Sequence, residues 1–120
     1  MSDRLKTNKD FWKNLDRLVE KYGFVIDRPK GSRHPRFKEF IYPFDYGYLP
    51  FTTSSDGAGL DIWIGSAGNK KVTGILNITD MDKFDAEMKL LYACTPEEMD
   101  EIYRINNMIM MKGIMVVRND

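Results

Sequence analysis

One cysteine, one histidine and no surplus of charge of either sign are the first limits in this 120-residue chain. Cys94 has no second thiol to join, so no internal disulfide staples the fold. Cys94 and His34 together fall short of the ligands of a structural zinc site. The 18 Lys and Arg are matched by 18 Asp and Glu. A protein built to coat nucleic acid or an anionic membrane draws on excess base, and that excess is missing. Long apolar runs are missing too: Met108–Val117 is broken by Lys112 and Gly113 and is about half a membrane span. Met1–Lys9 is charged and leads into no apolar core of a signal peptide. No repeat, low-complexity tract or linker divides the chain. With 42% hydrophobic and 12% aromatic residues, the expectation is one soluble, cytoplasmic domain.

Two helices bracket a β-rich middle. Phe11, Trp12, Leu15, Leu18, Val19 and Tyr22 recur at spacings of three and four, which predicts an amphipathic helix over 7–22. Thr7 with Asp10 resembles its capping box, and Gly23 its stop. Six short β-like runs follow: Phe24–Asp27, Glu39–Tyr42, Leu60–Gly65, Val72–Thr79, Lys89–Cys94 and Ile114–Arg118. They suggest a small curled antiparallel sheet or barrel. Thr95-Pro96-Glu97-Glu98 has the cap, the first-turn proline and the Glu of a helix start, with Met99, Ile102, Tyr103, Ile105 or Asn106, and Ile109 inward and Gly113 as the end. Met108, Met110, Met111 and Met115 read as core or interface filler.

Three clusters carry chemistry. Arg28, Lys30, Arg33, His34, Arg36 and Lys38 crowd a Pro/Gly loop without an acid among them, and guanidinium forks match phosphate oxygens. Asp56 and Asp61 flank Gly57-Ala58-Gly59, while Asp80, Asp82, Asp85 and Glu87 follow a strand. Hard divalent cations want such carboxylates, with water and substrate phosphate. Tyr42-Pro43-Phe44-Asp45-Tyr46-Gly47-Tyr48 is a dense aromatic segment whose hydroxyls can meet phosphate; for Tyr48 a packing role is preferred. Each cluster alone is ordinary surface, turn or core, and only their coincidence points to a site.

The motifs Val25-Ile26-Asp27-Arg28-Pro29, Tyr42-Pro43-x-x-Tyr46-Gly47-Tyr48, Asp56-Gly57-x-x-x-Asp61 and Gly74-Ile75-Leu76-x-x-Thr79-Asp80 stand in the order seen in soluble family I inorganic pyrophosphatases, which this chain resembles from about Phe24 to about Ala93. The likeness is nearest to a short subgroup with Ile-Asp-Arg-Pro-x-Gly-Ser-x-His-Pro, here Ile26–Pro35. The resemblance implies a mainly β protein with flanking helices (α+β) and a five-stranded OB-like barrel over 24–94; the N-terminal helical extension over 1–23 lies outside it, and a C-terminal helix and strand take up 95–120. It implies Mg²⁺-dependent hydrolysis of pyrophosphate, with Mn²⁺ as an alternative ion, in a homo-oligomer that binds neither nucleic acid nor membrane. By matching positions, Asp56, Asp61, Asp80 and Asp85 would hold metal, with Asp27 a rim acid. Asp61 and Tyr46 would serve catalysis. Tyr42, Tyr46, Arg33, Arg36, Lys38 and Lys89 would contact substrate phosphate, although Glu87 takes the ungapped place of the family's cation. A Tyr103-Arg104 pair on the second helix is a weaker match to a Tyr-Lys pair.

One departure matters. The family's Asp-Gly-Asp-Pro-x-Asp signature reads Asp56-Gly57-Ala58-Gly59-Leu60-Asp61 here, so Ala58 replaces a candidate general base, a loss worth about 10²–10⁴-fold in rate. The competing expectation is therefore a catalytically impaired barrel that binds a phosphate-bearing ligand or a protein partner. A single-stranded nucleic-acid module is a third reading, weakened by the acids in the proposed groove.

Overall fold

The computed structural model describes residues 5–54 and 57–119. Helix α1 (Lys9–Tyr22) is capped by Asn8, whose side chain accepts from the Asp10 N–H at 2.9 Å. The cap falls one residue after the expected Thr7, in keeping with the stronger capping preference of Asn. Gly23, at φ 66°, ends the helix by returning its N–H to Val19.

Six strands follow: β1 (Val25–Arg28), β2 (Asp45–Leu49), β3 (Leu60–Ile64), β4 (Val72–Asp80), β5 (Asp85–Tyr92) and, after helix α2 (Pro96–Ile105), β6 (Met111–Val117). Their order in the sheet is β1-β2-β3-β5-β4-β6. The expected strand Glu39–Tyr42 is instead the returning arm of a folded loop. The Gly31 N–H meets Tyr42, the Tyr42 N–H meets Ser32 and the His34 N–H meets Phe40, but only Arg33 and Ile41 form a bridge. Pro35 and Pro43 lack the donors that a longer ladder needs, and the strand begins at Asp45.

All ladders are antiparallel except β3 with β5, which run parallel with Asp61 opposite Lys89. This junction also accounts for the departure from the expected barrel. Because β5 joins β3, its hairpin partner β4 and then β6 are carried away from β1. Among the described residues no ladder joins β6 to β1, so the sheet is open and six-stranded.

Each face of the sheet is covered by one helix. Trp12, Leu15 and Val19 of α1 pack on Leu49, Ile62, Val72, Ile75 and Leu90. Met99, Ile102 and Ile105 of α2 pack on Trp63, Leu76, Ile78 and Leu91 across the opposite face. The start of α2 is the capping box read from Thr95 and Glu98. Its end is not Gly113 but Asn106, because the side chains of Asn106 and Asn107 take the Ile102 and Tyr103 carbonyls, each at 2.8 Å. Gly113 lies within β6, where a Cβ would press on Ile78. Ile109, Met108 and Met110 are consequently exposed, and Tyr103, expected inward, is on the exposed side of α2, while Met111 and Met115 pack partly against the core. Cys94 is buried; burial, with Glu98 adding to it, pushes its thiol up to about 12, so it stays protonated. Among the described residues no helix is long and apolar enough to cross a membrane.

One polar clamp ties the two ends of the chain to the sheet. Asp16 of α1 accepts from the Val72 N–H and from Arg118, both at 2.9 Å, and Arg118 lies over the Trp12 ring. Asp16→Ala leaves a buried N–H and guanidinium short of an acceptor. It should lower the unfolding free energy by about 1–3 kcal/mol in urea titrations, and an unchanged midpoint would contradict the clamp. Glu98 provides a pH test. Burial favours its neutral form, but the N–H groups of Thr95 and Ser66 and the Ser66 hydroxyl outweigh that and hold its carboxyl below the ordinary 4.5. A depressed carboxylate stabilises the fold above its unfolded value, and that stabilisation is lost as pH falls through the folded one. The stability gap between wild type and Glu98→Gln should therefore be widest near neutrality and close below pH 4.5; a gap that widens on acidification would contradict it.

Candidate functional site

Strand alternation and register gather the polar side chains of five strands on the α2 face. Arg28 is opposite Tyr46, Tyr48 opposite Asp61, Asp61 opposite Lys89, and Asp80 opposite Asp85. Because alternate residues share a face, Asp85, Glu87 and Lys89 form one row. Gly47 makes the approach of β1 possible: a Cβ there would overlap the Val25 carbonyl oxygen. The glycine in Tyr46-Gly47-Tyr48 thus has a packing reason as well as a motif.

Lys89 is the centre. It is 8% exposed, and its ammonium group has three protons to place. It donates to the Tyr46 hydroxyl oxygen and to Asp61 Oδ2 at 3.1 Å, and pairs with Glu87 Oε1 at 3.3 Å. Tyr46 in turn donates its own hydrogen to Asp61 Oδ2 at 2.7 Å. Burial raises the Tyr46 phenol, and the Asp61 charge adds to that, so it stays protonated. Burial works against the Lys89 charge, but Tyr46, Asp61 and Glu87 more than offset it, so the ammonium persists. Two carboxylates on one ammonium leave the cluster with an uncompensated negative charge.

A second group adjoins it. Arg28 donates to the Tyr42 hydroxyl at 2.8 Å and lies over the Tyr42 ring. Tyr42 is 5% exposed and forms an aromatic wall with Tyr46, Trp63 and His34. Its hydroxyl accepts from Arg28 and so retains its own hydrogen as a donor. Arg28 and Tyr42 together suit an anionic oxygen. The Tyr46 hydroxyl, by contrast, has its hydrogen already committed to Asp61.

The other sequence-predicted residues are placed less centrally. Arg33 donates to the Lys38 carbonyl at 2.9 Å within its own loop, and Lys38 is exposed. Arg36 stacks on Phe37 and reaches Asp82 of the β4–β5 turn at 4.0 Å, leaning the basic loop toward the acidic turn. His34 Nδ1 accepts the N–H groups of Arg36 and Phe37, so this histidine organises the loop. Burial, with Arg28, Lys83 and Arg36 nearby, holds it below its ordinary value. Asp80 Oδ1 accepts from the Asp82 and Lys83 N–H groups, which occupies one oxygen with the turn. Asp27 is exposed at an irregularity in the β1–β2 register. Asp56 lies outside the described residues. Tyr103 is exposed, and Arg104 is paired with Glu101. Arg28 and Glu87 are the residues that position matching undervalued: the first was read as one base among many in a loop, the second as an alternative to Lys89. A period-two reading of β5 puts Glu87 and Lys89 on the same face, where they pair in the one cluster.

Among the described residues, no three acid, His or Cys side chains converge into an all-protein metal cage. The donor chemistry nonetheless fits Mg²⁺, which is usually held by one or two carboxylates with water and substrate phosphate completing its shell. Asp61 and Glu87 lie 3.1 and 3.3 Å from the same Lys89 ammonium, and the residual negative charge of that cluster favours a further cation. A hollow of about 590 Å³ along β4, β5 and β6 shares Glu87 with this cluster but is lined otherwise by residues such as Met88 and Ile114, away from Arg28 and Tyr42.

Lys89→Met removes the shared cation while leaving both acids in place. It should lower the unfolding free energy by about 3–5 kcal/mol, the cost of stranding one side of a buried pair. Chemical denaturation checks this, and a loss below about 1 kcal/mol, as for an exposed pair, would show that Lys89 is not the keystone.

The fold is similar to that of inorganic pyrophosphatases of known structure. The enzyme from Thermus thermophilus matches with a TM-score of 0.60 at 19% identity, over 79% of this chain and 81% of that one. The enzyme from Neisseria gonorrhoeae matches at 0.59 and 17% identity, over 77% and 80%. That from Helicobacter pylori matches at 0.54 and 16%, over 78% and 81%. No family sequence model and no curated protein sequence matches the chain. At these identities the likeness is one of fold: this is a mainly β, two-helix chain built on the pyrophosphatase architecture.

Proposed function

We propose that this protein hydrolyses inorganic pyrophosphate to two phosphates with Mg²⁺, Mn²⁺ being an alternative ion. The observation that supports this most is the placing of an anion-seeking pair, Arg28 and Tyr42, beside an acidic cluster with charge to spare, Asp61–Lys89–Glu87, on one face of a pyrophosphatase-like sheet. A diphosphate with a bound divalent cation needs both signs at close range.

By their motif positions Asp56, Asp61, Asp80 and Asp85 would hold the metal. When bound, Mg²⁺ supplies a water of lowered pKa and a clamp on the transferring phosphoryl group. The chain's own residues do the rest by position and charge. Arg28 and Tyr42 orient a phosphate and oppose the charge on the departing group, with Arg36 and Lys38 steering it from the loop above. Tyr46 fixes the Asp61 carboxylate. Lys89 contributes positive charge next to the reacting phosphate.

Ala58 supports the alternative reading, a phosphate-binding relative with impaired catalysis, because no carboxylate stands at that position. Phosphate release from pyrophosphate distinguishes them. The enzyme reading predicts Mg²⁺-dependent turnover that Asp61→Ala abolishes and that Ala58→Asp raises by about 10²-fold, the lower range for restoring a general base. Release no faster than background with either ion would overturn it and leave the binding module. Arg28→Ala should raise KM by about tenfold, the loss of one charge-assisted contact.

A further inference from the structure

Lys89 does not wait in the site as a free cation. Its ammonium group is held by two hydrogen bonds and an ion pair with Glu87, and the oxygen it shares with Tyr46, Asp61 Oδ2, belongs to the carboxylate that the metal-dependent reading gives to the ion. A divalent ion and an ammonium cannot both occupy that oxygen, because their charges repel at contact distance and the shared carboxylate has one charge to offer. Glu87 offers the ammonium a second anchor, adjacent on the same strand face.

Resting on the metal-dependent reading above, we propose that Lys89 is a built-in competitor for the metal: it occupies Asp61 until a divalent ion displaces it, and Glu87 holds it within reach in the meantime. Ion entry then releases the ammonium proton bonded to Asp61, which can turn to a phosphate oxygen. The device makes metal and substrate binding mutually supportive, since each removes a contact that opposes the other. Lys89 is in this sense a positioning residue for the metal as well as a contact for the anion.

Mn²⁺ binding without pyrophosphate, followed by electron paramagnetic resonance, tests this apart from turnover. Lys89→Met unbalances the charge and weakens the fold, so the decisive variant is Lys89→Gln with Glu87→Gln, which removes one charge of each sign and keeps the local total. Its folding is verified by circular dichroism. If Lys89 blocks the ion, the double variant should bind Mn²⁺ about tenfold or more tightly than wild type, as expected when an occluded fraction becomes competent. Adding Asp61→Asn should abolish the gain. Unchanged or weaker affinity in the double variant would overturn the competition while leaving the pyrophosphatase reading standing. Absence of Mn²⁺ binding in wild type and variant alike would overturn both.

Discussion

A buried ammonium group organises this molecule. Lys89 sits in an internal strand, where a charge without partners would be too costly to keep. The cost is offset only because three oxygens from three strands converge on it: Tyr46 from β2, Asp61 from β3 and Glu87 from β5 itself. That convergence requires the parallel β3–β5 register with Asp61 opposite Lys89, and it requires β2 to place Tyr46 on the same face. A slip of one residue in either ladder would turn an acid or the phenol to the α1 side, into the apolar cluster of Ile62 and Leu90. Lys89 therefore fixes the register of the sheet as much as it prepares a site.

The two faces divide the work. The α1 face is a hydrophobic seal, closed at the chain's ends by the Asp16–Arg118 clamp. The α2 face is apolar beneath the helix and becomes polar toward the β4–β5 turn and the basic loop. Its aromatic wall is shared between the two roles: Trp63 and Tyr42 belong to the core, yet Tyr42 carries its hydroxyl to Arg28. Site and core are thus contiguous, and the charges of the site are held by packing as well as by each other.

Much of this was legible in the sequence where a local rule governs it. The capping box at Thr95, the stop at Gly23 and the apolar stripe of α1 depend on residues a few positions apart, and they stand as read except that Phe11 is exposed at the stripe's edge. The two clearest strand runs, Leu60–Gly65 and Val72–Thr79, stand to within one residue at their ends. What failed depends on distant partners. Glu39–Tyr42 has the composition of a strand, but Pro43 stops its extension, Pro35 breaks the opposing arm, and its partner is its own loop. The parallel joining of β3 to β5 leaves no local trace, so neither the open sheet nor the pairing of Asp61 with Lys89 could be read directly. In the site, motif position singled out Tyr42, Tyr46, Asp61 and Lys89, which the fold brings together. It placed Arg33 and Lys38 ahead of Arg28, which the bulged end of β1 turns toward Tyr42. Asp80 is as much a turn former as a ligand, since backbone N–H groups compete for its carboxylate.

The central claim is that one face of this sheet receives a divalent cation and a diphosphate together. Crystals grown with Mn²⁺ and a non-hydrolysable diphosphate analogue test it most directly, through the anomalous signal of the ion. The account predicts an anomalous peak on Asp61, the Lys89 ammonium withdrawn from Oδ2, and the analogue against Arg28 and Tyr42. A map with no peak at Asp61, Lys89 still bonded to it, and the analogue absent from Arg28 and Tyr42 would contradict the account.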